Sequence, residues 1–132
     1  MQFPAKWEEA KRIKYAQGFN KPAPRDYVGE GPLTEPEALA LYNFTLAHNP
    51  KLTISYHTQG EVIFWQYLDY KPTNALEIAT KFSELSGYNI EEVPLNSAFA
   101  GYKDWFMAQY NKPGYTIEAG LRRKSVTPFP IW

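Results

Sequence analysis

The segment Leu52-Thr53-Ile54-Ser55-Tyr56-His57 is among the most informative parts of the sequence. Its β-branched and aromatic residues favour a strand, and Thr58-Gln59-Gly60 after it favours a turn. A second run, Tyr115-Thr116-Ile117-Glu118-Ala119, has the same β-rich character. Each strand therefore carries one chemically capable side chain close to its end, His57 in the first and Glu118 in the second.

Helical patterns flank these two strands. Helices are predicted within Pro4–Gln17, between Thr34 and Pro50, between Asn74 and Gly87, and within Gly101–Tyr110. Further strands are predicted over 61–67 and within 88–95. This order of elements predicts an α/β fold, a mixed β-sheet with flanking helices, and we treat residues 1–132 as a single domain.

Two of these helices begin with the spacing of a capping box. Thr34 with Glu37 and Asn74 with Glu77 place a capping side chain three residues before a glutamate. The helical period then gives each helix one apolar face, Leu39, Tyr42 and Leu46 in the first and Ala75, Ile78, Phe82 and Leu85 in the second.

The composition excludes several classes of protein. Fourteen basic and fourteen acidic residues cancel and form no basic stripe, which argues against nucleic-acid binding. The absence of cysteine excludes thiolate metal sites and disulfides. No apolar run approaches membrane-spanning length, so no membrane partner is expected. The N-terminal residues Met1–Pro4 lack an apolar signal-peptide core, which predicts a cytoplasmic location for the chain as written.

Histidine and glutamate are the side chains that could carry chemistry. His57 is either a histidine with an ordinary hydrogen bond or a metal ligand, since imidazole is a common zinc ligand. Glu61 lies four residues later, but in extended chain the two would be roughly 13 Å apart, so they do not form a metal pair. We interpret Glu61 as a structural carboxylate or as one that supports a metal ligand. His48 falls in a last helical turn, where the helix dipole favours a cation.

Glu118 is unusual because glutamate is depleted from strand interiors. It lies on a solvated face of the sheet, or it serves as a general base that takes a proton from metal-bound water. Other catalytic motifs are missing, because the sequence has no phosphate-binding glycine loop and no nucleophile elbow.

Four separated segments resemble one known family, and they occur in that family's order. They are Gln2-Phe3-Pro4-Ala5-Lys6-Trp7-Glu8-Glu9-Ala10-Lys11, Pro22-Ala23-Pro24-Arg25-Asp26-Tyr27, Tyr56-His57-Thr58-Gln59-Gly60-Glu61-Val62-Ile63-Phe64-Trp65, and Gly101-Tyr102-Lys103-Asp104-Trp105-Phe106 leading through Pro113 to Glu118. The chain resembles the zinc metallocarboxypeptidases, and within them the branch of γ-D-glutamyl-L-diamino acid endopeptidases of bacterial cell-wall metabolism. The resemblance runs from Gln2 to about Gly120.

The resemblance implies a role for several residues. His57 would be the third zinc ligand and Glu118 the catalytic general base. The substrate would be a peptidoglycan stem peptide, cut at its γ-D-glutamyl–diamino acid bond. The segment from Asn96 to Lys103 would line the substrate groove, with Asn96 near the position of the family's substrate tyrosine. Lys103 would meet a carboxylate of the diamino acid, or it is simply a solvated lysine.

The departures from the family pattern are equally informative. The His-x-x-Glu motif that supplies the first two zinc ligands is absent, and Met1 stands near the family's substrate-carboxylate arginine. The segment Leu121–Trp132 stops short of the family's long terminal helix. The chain thus resembles the C-terminal half of the zinc-carboxypeptidase fold, with only part of a Zn²⁺ site, because catalytic zinc sites need three protein ligands.

Three interpretations remain open at this point. The chain is half of a zinc peptidase site, a catalytically inactive fragment, or a module that binds cell-wall peptides without cleaving them. In each case a sheet edge would be exposed where further strands belong, and we expect self-association through it.

Overall fold

A computed structural model describes residues 1–58 and 60–120. That part of the chain holds four helices, four strands and one 3₁₀ turn. In chain order they are α1 (Trp7–Ala16), α2 (Pro36–His48), β1 (Thr53–His57), β2 (Val62–Phe64), α3 (Ala75–Ser86), β3 (Asn89–Glu91), the 3₁₀ turn (Leu95–Ser97), α4 (Tyr102–Tyr110) and β4 (Gly114–Glu118). The predicted tail Leu121–Trp132 lies outside the described residues.

The four strands form one mixed sheet in the order β1-β4-β2-β3. β1 and β4 are parallel, β2 and β3 are parallel, and β2 runs antiparallel to β4. The predicted α/β fold with a mixed sheet and flanking helices is therefore confirmed. The assignment of the whole chain to a single domain stays a prediction.

Helices cover the two faces of this sheet. On one face, α4 packs over the start of β4, and its Phe106 and Met107 are completely buried. On the other face, α3 packs through Phe82 against Tyr115, with the ring centroids 5.2 Å apart. The Tyr115 hydroxyl also donates a hydrogen bond to the Ala75 carbonyl at 2.8 Å, and burial raises the pKa of this tyrosine to about 12. β4 is thus fixed from both sides.

Both predicted capping boxes are wrong. Helix α2 begins at Pro36, and neither it nor α3 has a side-chain hydrogen bond at its N-cap. Thr34 instead binds the side-chain oxygen of Gln2, through its backbone N–H at 2.8 Å and its hydroxyl at 3.0 Å. Glu77 pairs with Lys81 on the exposed surface of α3. Tertiary and surface contacts replaced the local caps that the spacing suggested.

The predicted apolar faces are only partly buried. In α2, Tyr42 packs on Trp105 with ring centroids 4.7 Å apart, whereas Leu39 and Leu46 are exposed. In α3, Leu85 is 88% exposed, whereas Ala75 is buried and Ile78 and Phe82 pack on the sheet. β2 is also shorter than the predicted strand over 61–67. Among residues 1–58 and 60–120, none of the helices has both the length and the apolar character of a membrane-spanning segment.

Gly114, the first residue of β4, lies close to both α4 and β1. A Cβ added there would lie 3.1 Å from Lys103 Cγ, 3.2 Å from Thr53 Oγ1 and 3.3 Å from Met107 Cγ. We expect Gly114→Ala to lower the free energy of unfolding by about 1–3 kcal/mol through overpacking. Urea denaturation measures the change, and Gly31→Ala, which meets no contact closer than 3.5 Å, is the matched control. Equal stability of the two variants would contradict the prediction.

Candidate functional site

His57 and Glu118 lie side by side at the carboxyl ends of two parallel strands. They are Cα partners in the register of β1 and β4. Neighbouring strands lie about 4.8 Å apart, so the two residues are separated by a single strand spacing. The Ala119 N–H donates a hydrogen bond to the His57 carbonyl at 2.8 Å, which fixes this alignment. The structure therefore brings together the two residues that the sequence singled out.

Both side chains line a cleft of 1440 Å³. His57 is exposed and Glu118 is half-buried. Alternate residues of three strands share this face of the sheet and also line the cleft, namely Ser55, Val62, Phe64 and Thr116. Because ligands of open α/β sheets bind beyond the carboxyl ends of parallel strands, the cleft lies where a substrate is expected.

The turn after His57 is tied to the end of β4. The Gly60 N–H donates to the Gly120 carbonyl at 2.9 Å, and a Cβ on Gly60 would lie 3.5 Å from the Glu118 Cβ. Glu61 follows with a left-handed φ of 55°, and its carbonyl accepts a hydrogen bond from the Asn89 N–H. The backbone of Glu61 thus joins the turn to β3, while any role of its carboxylate near a metal stays a prediction.

Lys103 is buried, so the alternative of a solvated lysine is wrong. Its ammonium donates to the Gln66 carbonyl at 2.5 Å and to the Asp104 carboxylate at 2.8 Å, and it lies 5.9 Å from the centroid of the Tyr67 ring. Both residues of the ion pair are 4% exposed. They line the wall of the cleft through the first turn of α4. A substrate-binding role for Lys103 stays a prediction, and its ammonium already has two protein partners.

Burial controls the charge state of Asp104. Desolvation raises the pKa of this carboxyl, and the opposing effects of Lys103 and of the Gly101 N–H only partly compensate. The same carboxylate accepts a hydrogen bond from that N–H at 3.1 Å, at the start of α4. Asp104 thus holds both the first turn of the helix and the lysine beside it.

Asn96 lies outside the lining of the cleft. It is exposed in the 3₁₀ turn, and the Ser97 hydroxyl lies 3.5 Å from its side-chain oxygen. The residues after it do line the cleft, including Ser97, Phe99 and Tyr102. Most of the segment predicted to form the groove wall therefore does so, and the substrate contact assigned to Asn96 itself stays a prediction.

A second ion pair at the cleft, between a buried lysine and a partly exposed aspartate, was not predicted from the sequence. Lys14 of α1 is 6% exposed, and its ammonium contacts the Asp26 carboxylate at 2.6 Å. Both residues line the cleft. The helical spacing could have predicted that Lys14 is buried, because Lys14 lies on the same face of α1 as the buried Trp7 and Ala10. A lysine on an apolar face indicates a buried partner.

The other histidine stays at the end of its helix. His48 closes the last turn of α2, where its ring nitrogen Nδ1 lies 2.8 Å from the Phe44 carbonyl and its ring stacks on Phe44. This agrees with its interpretation as a helix-terminal residue.

The described residues do not by themselves form a metal site. Within residues 1–58 and 60–120, no group of three or more histidine, cysteine, aspartate or glutamate side chains could hold a metal ion. His57 provides an imidazole suitable for one ligand position of zinc, and a catalytic zinc needs three protein ligands. The donor set thus fits one position of a zinc site, in agreement with the missing His-x-x-Glu motif.

Comparison with known proteins identifies the family. A model of the zinc carboxypeptidase family, Peptidase_M14, matches residues 1–126. The chain is 41% identical over 130 residues to gamma-D-glutamyl-L-diamino acid endopeptidase 1 of Lysinibacillus sphaericus, covering 98% of this chain and 31% of that protein. It is 39% identical over 130 residues to the uncharacterized protein YqgT of Bacillus subtilis (strain 168), covering 98% of this chain and 33% of that protein. The chain therefore spans about a third of the length of these curated relatives, and it belongs to the zinc carboxypeptidase family.

Proposed function

We propose that this chain carries the general base and one metal ligand of a zinc-dependent peptidase. The bond that it helps to hydrolyse joins γ-D-glutamate to a diamino acid in a peptidoglycan stem peptide. The observation that carries the proposal is the pairing of His57 with Glu118 at the floor of the cleft. The relative from Lysinibacillus sphaericus, an endopeptidase for γ-D-glutamyl-L-diamino acids by name, supports the choice of bond.

Glu118 is suited to proton transfer. Its carboxylate is half-buried at the end of β4, and the alignment of β1 with β4 holds it beside His57. In the proposed reaction it accepts a proton from the attacking water and returns it to the leaving amine. A zinc ion bound with His57 as one ligand would supply Lewis-acid polarisation of the scissile carbonyl. Its other protein ligands would come from outside the described residues.

Lys103 and Asn96 are the proposed substrate-binding residues, and their surroundings favour different roles. Asn96 is exposed beside the cleft wall, where its amide is free to reach a bound peptide. Lys103 would meet a substrate carboxylate only by sharing its ammonium with Asp104 and the Gln66 carbonyl. Its effect on binding would therefore arise largely by holding the wall of the cleft in place.

A second candidate function is peptide binding without cleavage. The observation that favours it is the combination of an open cleft with a donor set that fills one zinc position only. Binding of a stem peptide to this chain that survives a chelator, with no hydrolysis, would support this alternative over the first proposal.

Two further expectations are carried forward as proposals. We propose a cytoplasmic location, which fractionation of cells would test. We also propose that the chain self-associates through an exposed edge of its sheet, which β1 forms in the described part of the chain.

The metal proposal is tested by zinc content after exhaustive dialysis. The chain alone should retain well below one zinc. A chimaera in which residues 1–120 replace the aligned third of the Lysinibacillus sphaericus endopeptidase should retain one. His57→Ala in the chimaera should weaken zinc binding by more than about 100-fold, since loss of an outer partner alone costs about 10–100-fold. His48→Ala, the other histidine of the chain, is the matched control. Full zinc content in the His57→Ala chimaera would remove His57 from the proposed site.

A further inference from the structure

The lining of the cleft contains more carboxylates than its lysines and arginines can pair with. Within residues 1–58 and 60–120, each lysine and arginine of the lining lies within 3.8 Å of Asp26 or Asp104. The ion pairs of this part of the chain involve none of four other carboxylates of the lining, which belong to Glu35, Glu37, Glu91 and Glu118. The cleft therefore favours a ligand that carries a positive charge.

Among these four carboxylates, Glu91 has no evident structural role in the cleft. Glu35 and Glu37 lie at the start of α2, where the helix dipole favours a negative charge. Glu91 lies in β3, although glutamate is depleted from strands. A charge protects an edge strand such as β3 from pairing, but the adjacent Glu92, which does not line the cleft, already provides one. The position of Glu91 in the cleft therefore needs another explanation.

The register of the sheet places Glu91 on the same face as Glu118. Glu91 is the partner of Phe64 on β2, and Glu118 is the partner of Val62 on β2. All four residues line the cleft, and Glu91 is exposed. Two strand spacings of about 4.8 Å and a shift of two residues, about 3.3 Å each, separate the Cα atoms of the two glutamates by roughly 12 Å. Val62 and Phe64 lie between them, because β2 lies between β4 and β3.

We propose that Glu91 binds the side-chain ammonium group of the diamino acid, on the leaving side of the scissile bond. The inference rests on the proposed function, in which Glu118 returns a proton to the α-amine of that diamino acid. Six bonds of about 1.5 Å join the two amines of a lysine-like residue and span about 7 Å. A hydrogen bond of about 3 Å at each end extends this reach to roughly 13 Å. The reach is comparable with the separation of the two glutamates.

The order of chemical groups across the sheet matches the order of groups in a diamino acid. A carboxylate on β4, two apolar side chains on β2 and a second carboxylate on β3 follow one another on the cleft face. The diamino acid has an amine, an aliphatic stem and an ammonium group. The stem would pack on Val62 and Phe64, and the ammonium group would donate a charge-assisted hydrogen bond to Glu91. Glu91 would thus select a basic side chain over an apolar one of the same length.

Titration calorimetry on the 132-residue chain tests this selection with two peptides. One contains γ-D-glutamyl-L-lysine, and the other contains γ-D-glutamyl-L-norleucine, which has the same stem without the ammonium group. We expect Glu91→Gln to lower the affinity for the lysine peptide relative to the norleucine peptide on the order of tenfold, since a hydrogen bond to a charged group is lost. Glu92→Gln, the matched control, should keep the wild-type ratio. The same ratio in Glu91→Gln and wild type, or no binding of either peptide, would overturn the proposal.

Reversal of the charge provides a readout that a merely structural role would not change. Glu91→Lys should bind a peptide with γ-D-glutamyl-L-2-aminoadipate, whose side chain ends in a carboxylate, more tightly than the lysine peptide. A Glu91→Lys variant that still prefers the lysine peptide would overturn the proposal.

Cleavage by the chimaera separates this inference from the proposed function. If the chimaera cleaves neither peptide while Glu91→Gln changes the affinity ratio of the chain, the peptidase proposal fails and the assignment of Glu91 is supported. If the chimaera cleaves the lysine and norleucine peptides with equal kcat/KM, the assignment of Glu91 fails and the peptidase proposal is supported.

Discussion

Lys103→Met is expected to lower the free energy of unfolding by about 3–5 kcal/mol. Removing one member of a buried ion pair leaves the other charge without compensation, and this costs far more than the pair itself contributes. Here Asp104 would remain buried, with the Gly101 N–H as its hydrogen-bond donor. Methionine keeps the apolar stem that packs against Gly114, so the loss reports on the ammonium group. Urea denaturation at pH 7 measures the effect.

The matched control is Lys81→Met. Lys81 also forms an ion pair at 2.8 Å, with Glu77, but both side chains are more than half exposed. Exposed helical pairs contribute about 0.3–0.5 kcal/mol, so this variant should remain close to wild type in stability. If the two lysine variants lost the same stability, burial would not be the reason for the importance of Lys103.

The pH dependence identifies Asp104 as the cause of the loss. Burial raises the pKa of Asp104, and Lys103 is the main influence that lowers it, so Lys103→Met should raise the pKa further. A carboxyl whose pKa is higher in the folded state binds more protons there, and stability falls as pH rises through that range. The deficit of Lys103→Met should therefore be smallest in acid and largest near neutral pH. Adding Asp104→Asn should reduce the deficit, and a deficit that is independent of pH would contradict this account.

Local periodicity was sufficient to predict most elements of the fold. The β-rich runs around Ile54 and Ile117 became β1 and β4. The helical spacing located the four helices of residues 1–58 and 60–120 to within a few residues. Gly87 takes the left-handed conformation predicted for a residue that ends a helix, with φ at 76°. These features depend on residues close together in sequence, which is the information that patterns carry.

Contacts between distant residues account for what the sequence did not reveal. The spacing predicts that Thr34 caps α2. In the structure the backbone N–H and the hydroxyl of Thr34 donate instead to the side-chain oxygen of Gln2, 32 residues earlier. The burial of Lys103 was not predicted, because it depends on a hydrogen bond to the Gln66 carbonyl, 37 residues away. Leu39 and Leu46 of α2 are apolar but exposed. Periodicity identifies an apolar face of a helix, but it does not show whether that face packs against another element.

The candidate site combines both kinds of information. The sequence identified His57 and Glu118 as strand-end residues, but only the parallel pairing of β1 with β4 brings them together. Their assigned roles came from resemblance to the family and not from spacing. The remaining metal ligands were not identified from the sequence or from the structure. Residues 1–58 and 60–120 contain no group of three or more histidine, cysteine, aspartate or glutamate side chains that could hold a metal ion.

Glu118→Gln should have the largest effect on catalysis. General acid–base catalysis by one positioned group contributes about 10²–10⁴-fold in rate, and glutamine cannot accept the proton. In the chimaera with the Lysinibacillus sphaericus endopeptidase, we expect kcat for a γ-D-glutamyl-diamino acid peptide to fall by about that factor. KM should change little, because the amide occupies the same place at the end of β4. Glu84→Gln, on the exposed surface of α3, is the matched control.

Zinc content separates a catalytic role of Glu118 from a structural one. A general base that does not bind the metal can be replaced without loss of zinc, whereas His57→Ala should lose it. If Glu118→Gln also released zinc, the carboxylate would be acting as a ligand, and the division of roles between the two strand ends would be wrong. If kcat were unchanged, proton transfer would belong to another group in the cleft. A Glu118→Gln variant that loses activity but retains zinc would support proton transfer by Glu118. Together with loss of zinc in His57→Ala, it would support metal binding by His57.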